Sequence, residues 1–451
     1  MDKITIDEIL NAVEGNLIKD GKNYIFDGVF IDTRKPVKNG IFFGLKGEKV
    51  NGSKFAAMAS EKGASLIIID EIPEDISKVL DYSSIILVKD SLDALKKLAK
   101  YYRSCLNIKV VAVTGSNGKT STKDLLAAVL SKRYKVLKTE GNFNNEIGLP
   151  LTVFKLDKSF DAAVLEMGMS NIGEIHSLTD IAKPNIAIIT NIGVAHLQNL
   201  KTRENILKAK LEITDFFKST STLIINGDND LLKEIKTDKF KLVKAGKENY
   251  NNIYADDIKL SEEGVCFGVY EQGAYMESMF AAALGEHSVT NSILAIAAAR
   301  EMGLTYSEIK EGLINLEKTK MRLEVINKEN YKIINDCYNA SPDSMEAAID
   351  AAKTFKGRKI AVLGTMLELG EDSAFMHRKV GKYAKENGIS MLLVLGEFTK
   401  EFTEGFGYGS YGFENKKDLA IFLKNNIKLD DVILIKASRG MKFETIIEEL
   451  N

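Results

Sequence analysis

The residues best equipped for chemistry lie in one short run, VVAVTGSNGKTSTKDLLAAVL, residues 110–130. An apolar stretch of strand type leads into an amphipathic stretch of helix type, and Gly115, Ser116, Asn117, Gly118, Lys119, Thr120 and Ser121 occupy the junction. A phosphate belongs at such a junction. Glycines let backbone N–H groups close on the oxygens, the helix N-terminus adds partial positive charge, Lys119 can reach terminal phosphates, and Thr120 Oγ can ligate magnesium. The spacing departs from GxxxxGK[ST], because the position five before Gly118 is Val113 and the leading glycine is Gly115. A shortened loop is implied. A tight strand-to-helix turn with an incidental lysine is the competing reading, but the order of strand, glycines, Gly-Lys-Thr and helix favours a nucleoside triphosphate. The motif leaves the reaction open.

Glu166 in VLEMGMS and His196 in TNIGVAHL both follow apolar runs of strand type. In an open parallel sheet, ligands gather beyond the carboxyl ends of the strands. Glu166 there can hold the magnesium that Thr120 touches, and a neutral His196 imidazole can complete a second cation site. Taken singly, Glu166 could cap a helix and His196 could be an ordinary loop histidine. Lys210, in ENILKAKLEI, reads from spacing alone as a solvated surface lysine.

At 451 residues the chain exceeds the size of one hydrophobic core. Residues 1–104 mix short β-like runs (YIFDGVFID, GIFFGL, SLIIID, SIILVKD) with helical patterns such as LDALKKLAKYYR, which indicates a small α/β domain. Residues 105–316 carry KVVAVTG, DAAVLEMG, IAIITNIG and STLIING, each followed by a turn and a helical stretch, which predicts a parallel sheet buried on both faces. Residues 317–451 repeat the βα rhythm in YKIINDCYNA, RKIAVLGTM, SMLLVLGEF and DVILIKASRG, as in a second, Rossmann-like doubly wound domain. The expected class is α/β in three domains.

Charge is balanced, 61 Lys plus Arg against 63 Asp plus Glu, so no global field gathers nucleic acid or anionic lipid. Cys105, Cys266 and Cys337 are scattered without CxxC spacing, which fits a reducing cytoplasm and neither a disulfide framework nor a thiolate zinc site. The first residues carry acids where a signal peptide would be apolar, and no run approaches the ~18 apolar residues of a membrane span.

Taken in order, GSNGKTSTK, EGNFNNEIGLPLT, LEMGMS, TNIGVAHL, KAKLEI, GEHSVTNSILAIAA, MRLE and KASRGMKFE resemble the segments of the Mur ligase family over essentially the whole chain. DCYNASPDSMEAA is similar to the YNANP-type signature of the members that attach D-alanyl-D-alanine to UDP-N-acetylmuramoyl-tripeptide, and MLELGEDSAFMHRKVG resembles the same members. The resemblance implies an ATP-dependent, cytoplasmic, monomeric ligase that works through an acyl phosphate with two magnesium ions. It assigns the phosphate loop to Gly115–Thr120, magnesium to Glu166 and His196, and a carbamylated lysine to Lys210. Asn291 would lie near adenine, Arg322 would reach the γ-phosphate, and Asp336 would hold the ribose. Lys436, Ser438 and Arg439 match the family's KGSR segment, and Asp32, Thr33 and Arg34 its uridine-nucleotide segment. The pattern breaks at GEKVNGSKF, where Asn51 and Ser53 stand in place of an acid and a histidine. The sister reaction of a folylpolyglutamate or cyanophycin-synthetase-like ligase, and a non-catalytic nucleotide-switched binding protein, are the alternatives.

Overall fold

The computed structural model describes residues 1–194, 197–316 and 320–450 and contains three sheets. The first has five strands in the order Asn16–Lys19, Ser84–Leu87, Ala64–Ile69, Gly40–Phe43, Val29–Phe30, parallel except for the first. The run YIFDGVFID supplies only the two-residue edge strand, because Phe26 turns into the core while Tyr24 and Ile25 stay exposed.

The second sheet runs Ala274–Ala281, Val265–Glu271, Ile253–Leu260, Lys241–Gly246, Thr222–Asn226, Ile186–Ile189, Lys109–Thr114, Ala162–Glu166, Val136–Lys138. The expectation of a parallel sheet needs correction. The first two strands in this order are antiparallel, an added hairpin whose turn places Gln272 and Gly273 at left-handed φ of 51° and 83°. Consecutive left-handed residues match the right-handed twist of the flanking strands and close a tight hairpin. The remaining strands are parallel, and the carboxyl ends of Lys109–Thr114, Ala162–Glu166 and Ile186–Ile189 open side by side.

The third sheet runs Glu324–Asn327, Tyr331–Asn335, Asp431–Lys436, Lys359–Gly364, Ile389–Leu395, Ser410–Phe413, parallel apart from its first pair. Asp431 is 1 % exposed and accepts a two-pronged bond from Arg358, Nε to Oδ1 at 2.9 Å and Nη2 to Oδ2 at 2.6 Å. This pair pins the bottom of the two adjacent strands, one of which ends at Lys436. Arg358→Ala leaves the buried carboxylate uncompensated, so it should cost about 3 kcal/mol, read as a lower urea midpoint for this part of the chain.

The helix Ser91–Ser104 joins the first sheet to the second. Its Leu95, Leu98 and Tyr102 belong to one continuous apolar cluster with Ile86 of the first sheet and Leu165 of the second. Tyr102 donates to Leu156 O at 2.5 Å and Arg103 to Ala182 O at 3.1 Å, so polar groups are satisfied inside that joint. On the other face, Lys119–Leu130 and His287–Glu301 pack together over the central strands. No helix of the described residues is long and apolar enough to cross a membrane.

Candidate active site

Strand Lys109–Thr114 ends at Gly115 and helix Lys119–Leu130 starts directly after Gly118, so four residues make the whole phosphate loop. Two glycines are required sterically. Gly115 has φ 150°, and a Cβ there would stand 1.8 Å from Thr190 Oγ1; Gly118 has φ 80°, and a Cβ would stand 2.5 Å from Asn291 Oδ1. Gly118→Ala forces a left-handed residue against that amide, so ATP should bind roughly tenfold more weakly in equilibrium titration while the fold persists.

The loop is held by its neighbours. Asn117 N–H donates to Asn191 Oδ1 at 2.8 Å, Thr190 Oγ1 donates to Asn117 O at 2.5 Å, and Gly193 N–H donates to Ser116 Oγ at 2.9 Å. Lys119 folds back over the loop, its Nζ donating to Gly115 O at 2.8 Å and Ser116 O at 3.3 Å. Burial pushes this ammonium below the ordinary lysine range; Glu166 and Glu368 oppose the shift, while Arg322 adds to it. An incoming phosphate would supply the counter-charge.

Glu166 is the last residue of its strand and 2 % exposed. Its carboxylate accepts from Thr120 Oγ1 and from Asn144 Nδ2, each at 2.8 Å, with Lys123 Nζ 4.0 Å away. A hydroxyl and a carboxylate oxygen already in contact form the hard donor set that magnesium takes. His196 lies outside the described residues, and among the described residues no group of three or more His, Cys, Asp or Glu is placed to hold a metal.

The expectation from spacing that Lys210 is a solvated surface residue is overturned. Lys210 sits on helix Arg203–Leu211 at 1 % exposure, its side chain making no hydrogen bond or ion pair among the described residues. Burial, and then the charge of Lys119, holds its pKa well below the usual lysine value. Asn291 is likewise no surface amide: it is 6 % exposed, and its Oδ1 accepts from Thr122 Oγ1 at 3.3 Å.

The third sheet brings its own groups across the gap. Arg322 stacks its guanidinium over the Tyr338 ring at 4.0 Å, leaving its buried Nε without a partner among the described residues. Asp336 accepts from Leu323 N–H at 3.2 Å and from Lys436 Nζ at 2.5 Å, and Lys436 also donates to Asn339 O at 2.8 Å. Ser438 Oγ accepts from Leu367 N–H, whereas Arg439 pairs with Glu444 at 2.8 Å. Ser116–Ser121, Glu166, Asn291, Arg322, Asp336 and Lys436 all line one cleft of about 660 Å³, whereas Gly115 and Lys210 are not among its lining residues. Asp32, Thr33 and Arg34 are not in that cleft. They form a partly exposed turn of the first domain in which Arg34 chelates Asp32, holding its carboxyl down at about 2.

Comparison with known proteins follows the same division. Residues 113–299 match the Mur ligase middle domain, and residues 321–439 match the Mur ligase glutamate ligase domain. The UDP-N-acetylmuramoyl-tripeptide--D-alanyl-D-alanine ligase of Bacillus subtilis (strain 168) is 40% identical over 459 aligned positions, covering 100% of this chain and 99% of that one. The chain belongs to the Mur ligase family. MurF from Acinetobacter baumannii superposes with a TM-score of 0.92 at 28% identity, covering 100% of this chain and 99% of that one. The MurF ligase from Thermotoga maritima, in complex with ADP, gives 0.84 at 29% identity over 94% of this chain and 96% of that one.

As a Mur ligase the chain is an ATP-dependent amide-forming enzyme of three α/β domains. Several of its site residues escape motif reading. Asn144, Thr190 and Asn191 orient Glu166 and the phosphate loop through side-chain bonds that join distant segments. Ser341 Oγ donates to Asn117 Oδ1 at 3.1 Å, and the neighbouring Asp343 carboxyl is pushed up by burial. All of them stand inside segments the sequence marks, Asn144 in EGNFNNEIG, Thr190 and Asn191 in TNIGVAHL, Ser341 and Asp343 in DCYNASPDSMEAA, but nothing local assigns these residues their bonds. Asn51 and Ser53, at the break in the family pattern, bond Asp70 at 3.3 and 3.1 Å, and Asn51 caps the turn Gly52–Phe55.

Proposed function

We propose that this Mur ligase joins D-alanyl-D-alanine to the terminal carboxylate of UDP-N-acetylmuramoyl-tripeptide, converting ATP to ADP and phosphate and making the pentapeptide precursor of peptidoglycan. The observation that carries the reading is the single cleft in which Lys119 and Thr120 of the phosphate loop face Arg322 and Asp336 of the third sheet. Full-length similarity to ligases named for this reaction supports it.

A carboxylate is a poor acyl donor. Its oxygen attacks the γ-phosphorus of ATP, the bond to ADP breaks, and an acyl phosphate forms. The dipeptide amine then attacks the carbonyl, phosphate leaves from the tetrahedral intermediate, and the nitrogen loses a proton as the amide forms. Phosphoryl transfer of this kind is chiefly positioning and charge neutralisation. The amides of residues 115–121 surround the phosphates, Lys119 and Arg322 balance their charge, Asn291 lies toward adenine, and Asp336 holds the ribose. Thr120 Oγ1 and Glu166 would hold magnesium, which supplies neutralisation at the phosphate oxygens.

A second magnesium is assigned to His196 and to Lys210 as its carbamate. Carbamate formation joins an unprotonated amine to carbon dioxide with release of a proton, so it needs the free base. What supports it is the burial of Lys210, which favours that base, and the absence of a carboxylate partner among the described residues. Residues 1–104, with Asp32, Thr33 and Arg34, take the uridine nucleotide; 105–316 take ATP; 317–451 close over the site and exclude water from the acyl phosphate. The enzyme works as a cytoplasmic monomer.

The test is ADP release with UDP-tripeptide alone, dipeptide alone, and both together, with mass spectrometry of the product. Release only with both, and a product heavier by the dipeptide less water, is expected. ADP release without amide product would favour a nucleotide-switched binding protein instead.

A further inference from the structure

The segment DCYNASPDSMEAA, singled out by the sequence, meets the phosphate loop at Ser341. Helix Pro342–Lys353 starts directly after it. A proline confines the residue before it to extended backbone, and Ser341 has φ −141° and ψ 161°. Its N–H donates to Ser344 Oγ at 2.8 Å, and Ser344 Oγ donates to Ser341 O at 2.9 Å. With its backbone held on both sides, the buried serine turns its hydroxyl out of the third domain, onto Asn117 Oδ1.

The receiving group is equally fixed. Asn117 is tied to the central domain through its own N–H and C=O, by Asn191 and Thr190. Its Oδ1 takes the Ser341 proton and its buried Nδ2 has no partner among the described residues, so the serine sets the plane of this amide. The contact is close-packed as well. A Cβ on Gly193 would stand 2.6 Å from Asp343 Oδ2 and 3.4 Å from Ser116 Cβ, which leaves no room for a side chain where the helix start meets the loop. Ser116, Asn117, Ser341 and Asp343 all line the cleft.

Arg322 and Asp336 stand on the same domain as Ser341, whereas Lys119 and Thr120 stand on the loop to which Asn117 belongs. The distance between these two sets of groups is therefore set by how the third domain seats on that loop. A hydrogen bond weakens steeply once its geometry departs from the optimum, so this one favours a single seating; being neutral, it adds no charge beside the phosphates. We infer that Ser341 is a positioning residue: its bond to Asn117 locks the third domain onto the phosphate loop and holds Arg322 in register with the transferring phosphoryl group. The inference rests on the ligase reading above.

Pentapeptide formation by the wild-type protein tests that reading by itself. Given that activity, Ser341→Ala should lower kcat for ADP release with both substrates by about tenfold. Alanine also weakens the start of the helix, so further variants separate the two effects. Ser341→Thr keeps the hydroxyl and should run close to the wild-type rate. Ser341→Gly loses the hydroxyl but is itself accepted at a helix start, and it should be as slow as alanine. In the Asn117→Ala background, already slow, Ser341→Ala should cost nothing more, because the bond is gone. Wild-type kcat in Ser341→Ala overturns the inference, and so does a Ser341→Thr variant as slow as alanine. A normal rate in Ser341→Gly beside a slow Ser341→Ala, or the same loss repeated in the Asn117→Ala background, makes Ser341 a helix cap and overturns it equally.

Discussion

Lys119→Ala should lower ADP release by about a thousandfold while the thermal unfolding midpoint holds or rises. The two halves of that expectation have one cause. In the absence of phosphate the Lys119 ammonium is half-buried and poorly solvated at the cleft wall, its only side-chain bonds among the described residues being to the carbonyls of Gly115 and Ser116. Burying a charge with so little compensation costs stability, so removing it does not loosen the fold. Catalysis needs that charge, because the negative oxygens of the triphosphate and the approaching carboxylate must share one small volume. Arg322 alone, stacked on Tyr338 from the other side, cannot replace it. A purified variant with wild-type turnover would remove the phosphate loop from the mechanism. Unfolding of the variant would show instead that the lysine is structural.

Lys210→Ala should lose about a hundredfold in turnover, as when an oriented metal-site group is removed, and added formate or acetate should restore part of it. A small carboxylate can enter the space left by the side chain and present the anion that the carbamate otherwise supplies. The wild-type protein should in turn gain activity with added bicarbonate after exhaustive degassing. An unmodified ammonium at this position would repel magnesium, and the positive charge of Lys119 already disfavours it. If the variant turns over like wild type, or if degassing and bicarbonate leave the rate untouched, the carbamate drops out and Lys210 is a buried packing residue.

These expectations draw on different amounts of sequence. The phosphate loop was legible because every requirement on it is local: a strand, two glycines, a lysine and a helix start within one short run. Glu166 was legible because it ends a strand whose apolar pattern is plain. Lys210 was marked only by the family resemblance of KAKLEI and not by its pattern, since ENILKAKLEI has no strong apolar face and only packing against the rest of the chain shows that the lysine is buried. The hairpin of strands 265–271 and 274–281 was missed for a related reason: its alternation is irregular, and its outer strand is half exposed.

Family membership, the three α/β units and the order of the reacting segments follow from the linear sequence, because strand and helix periodicities and motif order are written residue by residue. The cleft itself is a tertiary product. Arg322 and Asp336 are more than 200 positions from Lys119, and no local pattern says that the third sheet faces the phosphate loop. The bonds that set the site's geometry, Asn144 to Glu166, Lys436 to Asp336 and Ser341 to Asn117, join groups whose neighbours in sequence have no part in them. Short-range forces decide those contacts only after the apolar cores have placed the backbones, which is why the chain alone specifies the parts and the fold decides how they meet.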